Sequence, residues 1–160
     1  MLRNPILNFI NRSIQRCIIT TIAYKNGIIA YDSLLTSDIT ITSNNYNKSR
    51  LVNGIKFFLA GSISDYDRFT ALYFDEKSED ELNISAIIVD SGKVYLSSTN
   101  KEGKLWKSDI TGIPYAIGTG EDHALTAMDL GLSARDAVKM AIKRDTCTGG
   151  RIRTFKIKSV

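Results

Sequence analysis

The sequence predicts a layered α+β fold. Three observations carry this: short strand-like runs that alternate or stay apolar, Asn-Gly and Ser-Gly turns between them, and helical segments grouped between blocks of strands. A chain of 160 residues is long enough to bury a core as one domain.

The elements follow in chain order. Over residues 2–18, Ile6, Ile10, Ile14 and Cys17 or Ile18 recur at helical spacing while Arg12 and Arg16 fall off the stripe, which predicts a short amphipathic helix. A cleaved leader, a membrane- or organelle-directed segment, and a helix packed on a partner all fit it. TTIAY and IIAYDS are strands joined by Lys-Asn-Gly, a strong hairpin signal. SDITITS alternates and predicts one strand, NNYNKS a loop, and GIKFFLAGS a buried strand ending in small residues. Phe69, Leu72, Tyr73 and Phe74, with Ser64 as N-cap, predict a helix over 64–77. NISAIIVD and KVYLSST, joined by Ser91 and Gly92, form a second hairpin, followed by strands in LWKSDI and PYAIGTG. GEDHALTAMDLG predicts a helix closed by Gly131, and Ser133 caps the helix SARDAVKMAIKRD. RIRTFKIK closes the chain as a strand.

Composition narrows the function classes. The net charge is +4, but residues 1–31 hold Arg3, Arg12, Arg16 and Lys25 and no acid; removing those four from 21 leaves 17 basic against 17 acidic residues. The body is therefore neutral. With no basic stripe interleaved with aromatics, nucleic-acid binding is not expected. No apolar run of about 18 residues predicts a membrane span. Cys17 and Cys147, with the single His123, lack metal-ligand spacing, so no metal or other cofactor is expected. Two well-separated cysteines suit reduced thiols and a cytoplasmic location.

The familiar catalytic sets are also missing. There is no GxSxG elbow and no phosphate loop, and His123 reads as a surface or helix-lining residue. What remains is a hydroxyl nucleophile that works without histidine. A threonine can be activated by its own α-amine, whose pKa of about 7.7–8.0 lies near working pH. Such a site adds a buried lysine, a carboxylate that holds the lysine, and a backbone N–H for the oxyanion.

TTIAYKNGIIAYDS, AGSISD at 60–65, YAIGTG at 115–120 and RDTCTGG at 144–150 together resemble the motifs of proteasome β-type subunits, including bacterial and phage members. The likeness runs over residues 20–160. It implies an N-terminal nucleophile hydrolase: a four-layer αββα sandwich of two antiparallel sheets between helix layers, with residues 1–19 as an extension or propeptide. It implies Thr20 as nucleophile, Asp32 as partner of a catalytic lysine, and Gly61 as oxyanion donor. Thr119, Asp145 and Thr148 would complete the network, and Leu59 would bear on substrate choice. Counting back from Ala60 sets Asn47 at the family's lysine position. A loop one residue shorter brings in Lys48, the lysine chosen here. The family propeptide is often cut after Gly, whereas Ile19 precedes Thr20 here.

The expected function is a cytoplasmic threonine endopeptidase, active once Thr20 is N-terminal. The resemblance implies a homo-oligomeric ring, peptide or unfolded-protein substrates, and in general terms an ATPase unfoldase partner. A catalytically inactive member of the same fold and a small-amide hydrolase are the competing expectations.

Overall fold

The computed structural model describes residues 20–158; the helix predicted over 2–18 and the junction at Ile19 lie outside them. β1 (Thr21–Lys25) and β2 (Ile28–Tyr31) form the first hairpin, closed by Asn26 and Gly27, both at positive φ (50° and 72°). That pair of left-handed residues is the turn chemistry that matches strand twist. A hairpin of β3 (Leu35–Ser37) and β4 (Thr40–Ser43) follows, then β5 (Ser49–Val52), β6 (Ile55–Gly61), a 3₁₀ turn (Ile63–Asp65) and α1 (Tyr66–Leu72). Next come β7 (Ile84–Asp90), β8 (Lys93–Thr99), β9 (Leu105–Asp109), β10 (Tyr115–Gly118), α2 (Glu121–Asp129), α3 (Ala134–Arg144) and β11 (Arg153–Lys156).

All pairings within these sheets are antiparallel. One sheet runs β10-β1-β2-β11, another β5-β6-β7-β8-β9, and β3-β4 stands as a two-stranded pair. Alternation along the strands sorts the core. Ile22, Tyr24, Ile29 and Tyr31 of the four-stranded sheet meet Phe58, Ala60, Ile87 and Val94 of the five-stranded one. On the other face of the four-stranded sheet, Ala23, Ala30 and Ala116 pack against Ala124, Ala127, Ala134 and Ala137 of α2 and α3. Alanines on both sides let the helices approach that sheet closely. Phe57, Leu59, Ala86 and Ile88 face Tyr66 and Phe69 of α1. A strand's period of two is what assigns neighbouring residues to different clusters.

Two predicted elements differ in detail, and one strand was not predicted. The single strand at 37–43 is two strands, because Asp38 turns at φ 52° and leaves Ile39 at the tip, 100% exposed. The helix at 64–77 is shorter, and Ser64 is not its cap: the Ser64 hydroxyl pairs with that of Ser62 at 2.7 Å. An unpredicted strand, β5, turns into β6 through Asn53 and Gly54, at φ 49° and 79°. The cap at Ser133 is present, its hydroxyl accepting from Asp136 N–H at 3.1 Å. Lys25 lies at the far end of the first hairpin and donates to the carbonyls of Met128 and Leu132, at 2.8 and 2.9 Å. A cation there suits the carbonyl-rich end of α2. Among the described residues, no helix is long and apolar enough to cross a membrane.

Candidate active site

Thr21, which opens β1, and Thr20 before it are fully buried, as is Asp32, which follows β2. The hairpin brings its two ends together, so Asp32 N–H donates to the Thr21 carbonyl at 3.2 Å. Asp32 Oδ1 accepts from Thr20 Oγ1 at 2.5 Å, from Thr21 N–H at 3.1 Å and from Lys48 Nζ at 2.8 Å. Oδ2 accepts from the N–H groups of Gly149, at 3.0 Å, and Leu34, at 3.3 Å. Five donors thus meet the roughly four lone-pair directions of a carboxylate, three of them crowding Oδ1. Lys48 is only 2% exposed. Burial lowers its pKa, and the attraction of Asp32 and, more weakly, Asp145 opposes this without cancelling it. An ammonium in this position gives up its proton more readily than a surface lysine.

Counting back from Ala60 sets Asn47 at the family's lysine position, whereas the structure brings Lys48, the lysine chosen from the sequence, to Asp32. Lys48 precedes β5, at a bend where alternation has not yet begun. The Asn47 side-chain carbonyl accepts from Ser49 N–H at 3.1 Å, an Asx-type turn centred on Lys48. Arg50 takes no place beside Asp32. It donates to the backbone carbonyls of Asn47 and Ser49, at 3.1 and 3.0 Å, and lies 5.2 Å from the ring centroid of Tyr66.

A second network reaches the same threonines from the other side. Thr21 Oγ1 and Thr148 Oγ1 are 2.6 Å apart. Thr148 and Thr119 both donate to Asp145 Oδ2, at 2.5 and 2.6 Å. Thr119 N–H and, more loosely, its hydroxyl donate to the Thr20 carbonyl, at 3.0 and 3.4 Å. The glycines beside it allow this closeness. A Cβ on Gly118, at φ +100°, would sit 2.1 Å from the Thr20 carbonyl oxygen, and one on Gly120 would sit 2.2 Å from Thr21 Oγ1.

Gly61 ends β6 at φ +134°, where a Cβ would fall 2.0 Å from the Asn83 carbonyl oxygen, so only glycine fits. The Leu59 side chain is fully buried in the cluster under α1, while its N–H donates to the Lys48 carbonyl at 2.9 Å. His123 is exposed on α2. Of the predicted residues, Thr20, Asp32 and Lys48 share one network, and Thr119, Asp145 and Thr148 share the other.

Solved structures give the architecture its kin. BPH of Thiobacillus denitrificans in complex with epoxomicin superposes with a TM-score of 0.61 at 19% identity, covering 88% of this chain and 99% of that one. A second structure of BPH from the same organism gives 0.61 at 18% identity, with the same coverage. Eukaryotic HslV from Trypanosoma brucei gives 0.62 at 16% identity, over 85% of this chain and 97% of that one. The chain has the proteasome β-type fold. No protein-family model and no curated protein matches the sequence.

Within the proteasome β-type fold, two contributors escaped the sequence reading. Thr21 supplies both a hydroxyl to Thr148 and an N–H to Asp32, yet in sequence it is one more strand-forming threonine. Asn47 was legible as a loop residue and as the position reached by counting back from Ala60, not as a partner of Tyr31 and Ser49.

Proposed function

We propose that the protein is a threonine-type endopeptidase subunit of a self-compartmentalising complex, with Thr20 as nucleophile once residues 1–19 are removed. The observation that carries the reading is the buried contact of Thr20, Asp32 and Lys48 through one carboxylate oxygen. A cation buried against a threonine hydroxyl and an aspartate is the arrangement that an amine-activated threonine uses.

The freed α-amine of Thr20 takes the proton from Oγ1, and Oγ1 attacks the peptide carbonyl. The charge of Lys48 favours the developing alkoxide, and Asp32 holds Lys48 in place. The Gly61 N–H stabilises the oxyanion. The amine returns its proton to the leaving amine, and water then releases the acyl group from Oγ1. Thr119, Asp145 and Thr148 fix the backbone of Thr20 and the side chain of Thr21 while this proceeds. The fully buried Leu59 would act on substrate choice only through the packing beneath the Gly61 strand end.

The reading extends to a four-layer αββα arrangement. It is supported by the three clusters that join α2 and α3 to one sheet, the two sheets to each other, and the second sheet to α1. It extends also to a homo-oligomeric ring enclosing the sites, a cytoplasmic location, unfolded polypeptide as substrate and an ATPase that delivers it.

The test is a chain whose first residue is Thr20, verified by intact mass, assayed on peptide substrates beside the full-length chain. Turnover by the Thr20-initiated chain, lost in Thr20→Ala, is expected. Absence of turnover with an assembled, folded Thr20-initiated protein would sink the reading and leave a non-catalytic subunit of this fold. Preference for a small amide over peptides would favour the amidase instead.

A further inference from the structure

Resting on that reading, we propose that Asn47 is a positioning residue: its side-chain carbonyl sets the approach of Lys48 to Asp32. The carbonyl has contacts on both sides of the pair. On the lysine side it accepts from Ser49 N–H at 3.1 Å and Ser49 Oγ at 2.9 Å, fixing the bend from which Lys48 projects. On the aspartate side it accepts from the Tyr31 hydroxyl at 3.2 Å, and Tyr31 is the last residue of β2, directly before Asp32. The same hydroxyl lies 3.4 Å from Ser49 Oγ. One amide oxygen therefore ties the strand that delivers Asp32 to the bend that delivers Lys48.

The need for such a tie follows from topology. Asp32 comes from the four-stranded sheet and Lys48 from the margin of the five-stranded one, where β5 is an edge strand. Two backbone bonds frame this corner: Leu59 N–H donates to the Lys48 carbonyl at 2.9 Å, toward the five-stranded sheet, and Tyr46 N–H donates to the Ser33 carbonyl at 3.0 Å, beside Asp32. They pin the two ends of the segment 46–48 and leave the bend between them to the Asn47 side chain. Arg50 closes the loop from outside through the Asn47 carbonyl and the hydroxyl of Tyr46, at 3.1 and 3.0 Å. It acts within one sheet's margin. Asn47 spans both, and it is exposed enough to be replaced without opening the core.

The experiment compares Asn47→Ala and Asn47→Asp in the Thr20-initiated chain. Aspartate keeps an oxygen where the Asx-type turn needs one. Reductive methylation followed by peptide mapping reads the protection of Lys48, with the exposed Lys143 as reference and the hydrogen-bonded Lys25 as a monitor of the fold. Asn47→Ala is expected to speed Lys48 labelling at least about 5-fold and to lower kcat about 10-fold, with KM changed less than about 2-fold. Asn47→Asp is expected to restore both. Wild-type protection of Lys48 in Asn47→Ala overturns the proposal, as does a rise at Lys25 equal to that at Lys48, which marks general loosening. Faster labelling confined to Lys48, in a protein that hydrolyses no peptide even as wild type, supports the positioning role and defeats the peptidase reading alone.

Discussion

Asp32 and Asp145 flank the same pair of threonines and are built in opposite ways. Asp32 is fully buried and faces a buried ammonium. Asp145 is only partly buried and gathers neutral donors, the hydroxyls of Thr119 and Thr148 and the N–H of Cys147 at 3.0 Å. Burial pushes the Asp145 pKa up, but those hydrogen bonds, with a smaller attraction from His123, outweigh it and leave the carboxyl below its ordinary value. The contrast divides the labour. The Asp32 side fixes a charge beside Thr20 Oγ1. The Asp145 side fixes where the backbone of Thr20 and the side chain of Thr21 lie.

Breaking the Asp32 side should therefore cost most. Lys48→Ala leaves the Asp32 carboxyl buried without its cation, a loss of about 3–5 kcal/mol in denaturant unfolding, and should abolish peptide turnover by about 10³-fold or more. Lys48→Met fills the volume but leaves the same carboxyl unpaired, so it should recover only the packing part of that loss and none of the turnover. Recovery of turnover in Lys48→Met would refute the division. On the Asp145 side, Thr148→Val removes a hydroxyl bonded to both Thr21 and Asp145. It should cost about 1–3 kcal/mol for the donors and acceptors left unpaired, and reduce kcat by about 10- to 100-fold.

Lys48 and Asp145 also call for different pH behaviour. The folded pKa of Lys48 lies below its ordinary value of 10.5, so between the two values the unfolded chain binds the extra proton. Stability contributed by Lys48 is thus complete above 10.5 and lost as pH falls through the folded value. The folded pKa of Asp145 lies below 3.8, so its contribution is present above that and lost as pH falls through the folded value. Unfolding free energies of wild type minus Lys48→Met should slope on the alkaline side, and wild type minus Asp145→Asn on the acid side. Interchanged slopes would show that the two sites had been assigned the wrong electrostatics.

Much of this architecture was legible because its signals are local. Asn26-Gly27 and Ser91-Gly92 announce hairpins whose left-handed turn residues only a few side chains tolerate. The Ser133 cap declares itself by a hydroxyl before a helical stripe. Signals failed where a neighbouring element decides. Ile39 and Ile41 alternate as a core-facing strand would, yet they are 100% and 57% exposed, because the hairpin that carries them pairs with neither large sheet. Spacing alone could not decide between Asn47 and Lys48, since alternation describes a residue inside a ladder and Lys48 stands at its entrance. The roles of Gly118 and Gly120 depend on the threonines pressed against them, which are about a hundred positions away in the chain.

The smallest effect expected on either side belongs to Thr119. Its hydroxyl donates to Asp145 at 2.6 Å, while the residue is exposed and its N–H, not its side chain, makes the shorter bond to the Thr20 carbonyl. Thr119→Ser keeps the hydroxyl and loses one exposed methyl group, so stability should change by no more than about 0.5 kcal/mol and kcat by less than about 2-fold. Thr119→Val keeps the shape and loses the hydroxyl, which withdraws one of the hydrogen bonds that lower the Asp145 pKa. The acid limb of the stability profile should then move to higher pH, while the alkaline limb attributed to Lys48 stays where it is. Movement of both limbs together would mean that the two carboxylates act as one coupled site and that the contrast between them is only one of position.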